Sequence, residues 1–207
     1  RVDAVTTDDA RMSMPERFEH LFAVISSRRF LDKQGLGNEM PFFICPFRPE
    51  ESVEMKRLQR QLVARLGNEG VRILEIDLYD LSIEILKERG IWEEILAIEE
   101  TVSKEELKEL LQSVLDPETH LVPAIAEKMA RETFHVLFLS GAGEVFPYIR
   151  SHTVLNNLQS TAKEKPTVLF FPGAYTCSLE SGASLELFGR LHDDKYYRAF
   201  NIYRCEA

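Results

Sequence analysis

The chain has 207 residues, 44% of them hydrophobic and 29% charged, which suits one domain with a sizeable core and no long disordered stretch. A net charge of −9 without any basic run argues against nucleic-acid binding through the phosphate backbone. No apolar run approaches the roughly 20 residues that cross a bilayer, and the opening RVDAVTTDDAR lacks the apolar centre of a secretory signal.

Residues 1–13 read as a tail or cloning remnant, and 14–207 as a single α/β domain. The first helix is signed by Ser13 and Glu16, spaced as a capping box, with Pro15 in its first turn. Phe18, Leu21, Phe22 and Ile25 then form one apolar face. GLGNE (35–39) breaks the chain, and PFFICP (41–46) is a short continuous apolar run that reads as a buried strand. A helix over 50–66 turns Met55, Leu58, Leu62 and Leu66 inward and stops near Gly67 and Gly70.

VRILEID (71–77) is the second predicted strand, followed by a helix over about 80–89 that ends at Gly90. Three more helices follow without an intervening strand: 91–98; 103–114, with Ser103 and Glu106 as a second capping box; and 117–131, started by Asp116 and Pro117. They exceed what one crossover needs, so 91–131 is a helical insertion between strands two and three. FHVLFLS (134–140) is the third strand, a helix over about 147–161 follows with Pro147 in its first turn, PTVLFFPG (166–173) is the fourth strand, and YRAFNIY (197–203) the last. Short apolar strands alternating with amphipathic helices predict a three-layer α/β sandwich with a mainly parallel sheet, Rossmann-like or P-loop-like in type.

Cys45, Cys177 and Cys205 are odd in number and lack CxxC spacing, so they form neither a disulfide framework nor a zinc knuckle. Cys45 reads as a small core residue, and a reducing cytoplasm is the expected location.

The signals for chemistry are weak. No GxxxxGK[ST] phosphate loop exists, and the first strand runs into CPFRPEE, where Pro46 and Pro49 remove amide donors. Gly141 and Gly143 match GxG, but Phe146 stands where a dinucleotide fingerprint needs its third glycine; a tight turn is the plainer reading. Asp77 ends strand two, where open α/β sheets place their sites, yet Asp77 or Asp80 could simply cap the next helix. His192, Asp193 and Asp194 could ligate a metal, but nothing at helical spacing supports them, and solvated loop residues fit better. No serine sits in a GxSxG elbow. Asp77, Gly141, Gly143, His192 and Asp193 are therefore held as pocket candidates, with no catalytic residue, metal or cofactor assigned.

The helix after strand three is unusual. Arg150, Thr153 and Asn157 share one polar side, and His152, Asn156 and Gln159 the next. Surface helices usually solvate themselves with Lys and Glu; amides, an Arg and a His suit directional hydrogen bonds in a partly desolvated contact. Arg150, His152, Asn156, Asn157 and Gln159 are candidates for binding a partner, or alternatively for satisfying loops within the domain. FPGAYTCSLESGASLELFGRLHDDKYY (171–197) reads as a long loop of functional type, or as a cover over a sheet edge.

GNEMPFFICPF (37–47), LEIDLYDLSIEILKERGIWEEIL (74–96), GAGEVFPYIRSHTVLNNLQ (141–159) and VLFFPGAYTCSLESGASLELFGRLHDDKYYRAFNI (168–202) together resemble the BrxB family, a small component of bacterial BREX phage-exclusion systems. The resemblance extends from Met14 to Ile202. It carries no catalytic residues over. It supplies no mechanism, but implies as partners the other BREX subunits, above all the PglZ-like protein of the alkaline-phosphatase superfamily, with the methyltransferase and the large ATPase as further candidates. The chain reads as a non-catalytic adaptor that holds or orients a catalytic subunit. The order of elements also resembles a RecA-like sheet without its phosphate loop, an analogy of fold alone. The alternatives are a degenerate nucleotide-binding protein using Gly141, Gly143 and the following helix N-terminus, or a hydrolase acting through Asp77, His192 and Asp193.

Overall fold

In the three inner strands of the central sheet, successive side chains enter opposite cores. Phe42 and Ile44 of β1 (Phe42–Phe47) join one cluster, while Phe43 and Cys45 join the other. The same alternation separates Leu137 and Leu139 from Val136 and Phe138 in β3 (Val136–Ser140), and Leu169 and Phe171 from Val168 and Phe170 in β4 (Thr167–Ser178). A strand buried on both faces has no polar side to show, which is why these segments appear in the sequence as unbroken apolar runs. The computed structural model describes residues 12–32, 42–178, 182–188, 191–193 and 199–207. Most of the expected tail and the break at 35–39 lie outside them.

The sheet order is β2-β3-β4-β1-β7, with β2 (Ile73–Asp77) at one edge and β7 (Phe200–Asn201) at the other, and all four pairings are parallel. From β1 the chain passes through α3 (Ser52–Asn68) to the far edge, with Met55, Leu58, Leu62 and Leu66 packed on the same face as α1 (Met14–Ser26) and α2 (Arg28–Leu31). It then returns from β2 to β3 and on to β4 in the opposite direction. Right-handed crossovers must therefore place the later helices on the other face. There lie α4 (Leu78–Glu88), α5 (Trp92–Glu99), α6 (Lys104–Val114), a π-helical turn at Pro117–Leu121, α7 (Val122–Arg131) and α8 (Ser151–Leu158). The result is the expected three-layer sandwich with a helical insertion between β2 and β3. Its strand order is compatible with the RecA-like comparison at the level of topology alone.

The predicted caps form as read. Ser13 Oγ accepts from Glu16 N at 3.4 Å while Glu16 Oε2 accepts from Ser13 N at 2.7 Å, and Ser103 with Glu106 repeats the motif.

Three expectations are corrected. The segment 171–197 is not a loop at its core. β4 continues to Ser178 and pairs antiparallel with β5 (Gly182–Leu187), which pairs with β6 (Leu191–Asp193). This ribbon is held to the body because Tyr175, Leu185 and Leu187 alternate onto its inner face and join the core. The helix expected at 147–161 spans only Ser151–Leu158, and Pro147 lies before it in a cis peptide after Phe146. The last strand shrinks to Phe200–Asn201, where Asn201 Oδ1 accepts from Tyr203 N at 3.0 Å and turns the chain into a 3₁₀ helix.

Candidate functional site

Open parallel sheets bind ligands in the crevice beyond the carboxyl ends of their strands. Here the crevice is lined by Phe47 after β1, Ser52, Met55, Lys56 and Gln59 of α3, Ser140, Gly141, Ala142 and Glu144 after β3, and Phe170 and Pro172 of β4. Lys56 Nζ donates to Glu144 Oε1 at 2.8 Å across the opening, and the carboxylate holds the lysine pKa above its ordinary value. Asp77 and Asp80 add negative charge beside the same ammonium.

The turn after β1 occupies the place where a phosphate loop would sit. Instead of free amides it carries an internal anion. Glu51 Oε2 accepts from Arg17 Nη1 of α1 at 2.9 Å and from Arg48 N at 3.1 Å, while Oε1 accepts from Arg48 Nη2 at 2.7 Å. Arg17 and Glu51 are both buried. Burial opposes ionisation of Glu51, but the hydrogen bonds from Arg48 and Arg17 outweigh it and keep its pKa below the usual 4.5. Sequence reading missed this pair; the Arg48-to-Glu51 spacing of a capping box is the local signal that was available.

Asp77, Gly141 and Gly143 come together at the same edge. Asp77 caps α4, its Oδ1 accepting from Tyr79 N at 2.8 Å and Asp80 N at 3.2 Å, while Ser140 Oγ donates to Oδ2 at 3.4 Å. Gly141 has φ +80, and a Cβ there would lie 2.6 Å from Asp77 Oδ1. The glycine thus serves a capped aspartate. At Gly143 a Cβ would lie 3.1 Å from both Phe188 Cε1 and Pro172 Cγ. Phe188 itself has φ +56, is exposed, and meets Phe146 edge to face at 6.5 Å. His192 and Asp193 lie on β6 opposite Glu186 and Leu185. Their side chains fall outside the described residues, as does Asp194.

On α8 the polar residues divide. Arg150 is exposed at the N-cap, and Asn156, Asn157 and Gln159 are half-buried. Asn157 Nδ2 donates to Thr153 O at 2.8 Å. His152 is buried, with Nε2 sharing a 3.0 Å hydrogen bond with Thr153 Oγ1. The candidate partner surface therefore narrows to Arg150, Asn156, Asn157 and Gln159, with His152 behind it as a support.

Among the described residues, no three His, Cys, Asp or Glu side chains are grouped to hold a metal ion. No described helix is long and apolar enough to cross a membrane. Cys45 is buried with its Sγ 3.4 Å from Tyr203 Oη, and burial raises the pKa of the Cys205 thiol.

A family model described as BREX protein BrxB matches residues 74–202. A BREX protein BrxB from Bacillus cereus (strain H3081.97) is 34% identical over 191 residues, spanning 90% of this chain and 96% of the relative. Another from Escherichia coli O9:H4 (strain HS) is 27% identical over 186 residues, spanning 90% of each. No solved structure matches. With a family match over more than half its length and a relative this similar from end to end, the chain belongs to the BrxB family of BREX proteins.

Proposed function

We propose that this protein is a non-catalytic adaptor of a BREX phage-defence complex in the cytoplasm, binding and orienting a catalytic subunit. Its relatives are named as BREX proteins, which supports a place in that system. The observation that carries the adaptor reading is the strand-end crevice. Where a parallel α/β enzyme would present free donors, this chain presents the Lys56–Glu144 ion pair and the Arg17–Glu51–Arg48 network, each paired within the chain. The turn that supplied the GxG match is shaped around the Asp77 cap. What is left outward is polar and directional: Arg150, Asn156, Asn157 and Gln159.

The PglZ-like subunit is the first partner in this reading, with the other BREX subunits after it. Co-purification of the chain with each subunit in turn tests it. A stable complex with the PglZ-like protein is expected. Micromolar binding of ATP or GTP with Mg²⁺ by the isolated chain would instead favour the nucleotide-binding alternative.

A further inference from the structure

Among the described residues, the large hydrophobic side chains left exposed are Val53, Tyr79, Leu96 and Phe188. Scattered singly, such residues need no explanation. The two aromatic ones are not scattered, because the turn after β3, residues 141–148, abuts both. On one side, a Cβ at Gly141 would come within 3.1 Å of Leu78 N, so the start of α4, which carries Tyr79, lies against the turn. On the other, Phe188 N donates to Pro172 O at 2.9 Å, and the Phe188 ring lies against Gly143 and meets Phe146. Tyr148 of the same turn is half-buried; burial raises its hydroxyl pKa, and the neighbouring Tyr79 and Glu144 raise it further. Tyr79, Phe146, Tyr148 and Phe188 therefore belong to one edge, beyond the carboxyl ends of β2 and β3.

Carboxylates stand beside these rings. Asp77, Asp80 and Glu144 all act on the Lys56 ammonium, so the three lie near one another. Glu144 holds that lysine and Asp77 caps α4. Asp80, next to Tyr79 in the chain, is exposed, and among the described residues no hydrogen bond or ion pair engages its carboxylate.

The faces of aromatic rings attract cations, and so does an unengaged carboxylate. A guanidinium answers both, since its plane stacks on a ring while its N–H groups pair with a carboxylate. A purely aliphatic surface would strip water from Asp80 and give it no partner. A phosphate backbone would be repelled. A second copy meeting this edge by a two-fold contact would set the carboxylates against their own images.

Resting on the adaptor reading, we infer that the edge formed by Tyr79, Phe146, Tyr148 and Phe188, with Asp80 beside them, receives an arginine side chain of a protein partner. The rings take the guanidinium face and the alkyl stem, and Asp80 accepts from its N–H groups.

The test measures affinity for each purified BREX subunit at two salt concentrations, with melting curves on every variant. Tyr79→Ala removes one exposed ring. Phe188→Gly removes the other and gives its left-handed backbone a residue that adopts it freely. For at least one subunit, each is expected to weaken binding by about tenfold or more, Tyr79→Ala with melting unchanged. Asp80→Asn should weaken the same complex by about fivefold or more and flatten its salt dependence. Combined with Asp80→Asn, Tyr79→Ala should cost less than it does alone, because both groups hold one cation. Leu96→Ala, as exposed as Tyr79 but on α5, is the control and should stay within about twofold. Unchanged affinity in Tyr79→Ala and Asp80→Asn, while the unaltered chain still binds, would overturn the inference and leave the adaptor reading standing. Losses in the ring variants with none in Asp80→Asn, or with strictly additive effects, would make the edge an apolar contact and overturn the arginine. Should Phe188→Gly lower the melt, the Tyr79 and Asp80 variants decide. Failure of the unaltered chain to bind any subunit would overturn the adaptor reading and the inference with it.

Discussion

The turn after β1 and the α5–α6 insertion both hold dense charge, and they treat it in opposite ways. At the turn, Glu51 is buried between Arg17 and Arg48 and faces nothing outside the chain. On the insertion, exposed glutamates outnumber lysines on the outer side of α5 and α6, while Leu107, Leu110, Leu111 and Val114 pack half-buried against the core. Charge that is paired and buried locks a conformation; charge that is unbalanced and exposed is available to a partner. Where parallel α/β folds place their ligands, the charges of this chain are paired with one another; on the added helices they face solvent.

The largest expected effect breaks the closed side. Glu51→Ala leaves the buried Arg17 guanidinium without its carboxylate, which should destabilise the protein by ~3–5 kcal/mol. Thermal melting should show a loss of about 10 °C or more in a domain of this size. The pH dependence has a fixed sign. Glu51 titrates below 4.5 in the folded protein, so its contribution is complete above about pH 4.5 and is lost as pH falls through the lowered value. Glu51→Gln should remove that part of the acid sensitivity, seen as a flatter melting-temperature profile below pH 5.

A smaller effect comes from Gly141→Ala. The positive φ and the approach to Asp77 Oδ1 together should cost ~2 kcal/mol or more, measured by urea unfolding. Gly90→Ala shares a positive φ of +70 but meets nothing within 4 Å, so its cost should stay at ~1–2 kcal/mol. Equal costs at the two sites would show that Asp77 can move away and that its cap is not what requires Gly141.

The central strands are legible in the sequence because burial on both faces leaves unbroken apolar runs, as in Phe42–Phe47 and Val136–Ser140. The capping boxes at Ser13 and Ser103 are legible because both partners lie three residues apart. The ribbon β4–β6 is not. Its inward residues Tyr175, Leu185 and Leu187 sit among Gly, Ser and Thr, and that composition reads as loop until the pairing is seen. At the candidate site, the contact between Asp77 and Gly141 and the bridge from Lys56 to Glu144 join residues far apart in the chain, which local periodicity cannot reveal. The burial of His152 on α8 is hidden for the same reason, since tertiary packing turns it inward.

On α8, Arg150→Ala and Asn157→Ala should each change stability by only about 0.5 kcal/mol, since both lie at or near the surface. If they meet a partner, binding should weaken by ~2 kcal/mol, more than tenfold. Lowered melting with normal binding would make them internal supports instead. The smallest expected effect is none at all. Calorimetry of the isolated chain with ATP or GTP and Mg²⁺ should show no tight binding, and duplex DNA should not be retarded at physiological ionic strength.

The central claim is that this chain works by holding another protein. Light scattering of the purified chain mixed with the purified PglZ-like BREX subunit measures that directly. The account predicts a complex of defined stoichiometry that needs neither nucleotide nor metal to form. Two species that migrate independently at every concentration tried, with the same result for each of the other BREX subunits, would contradict it.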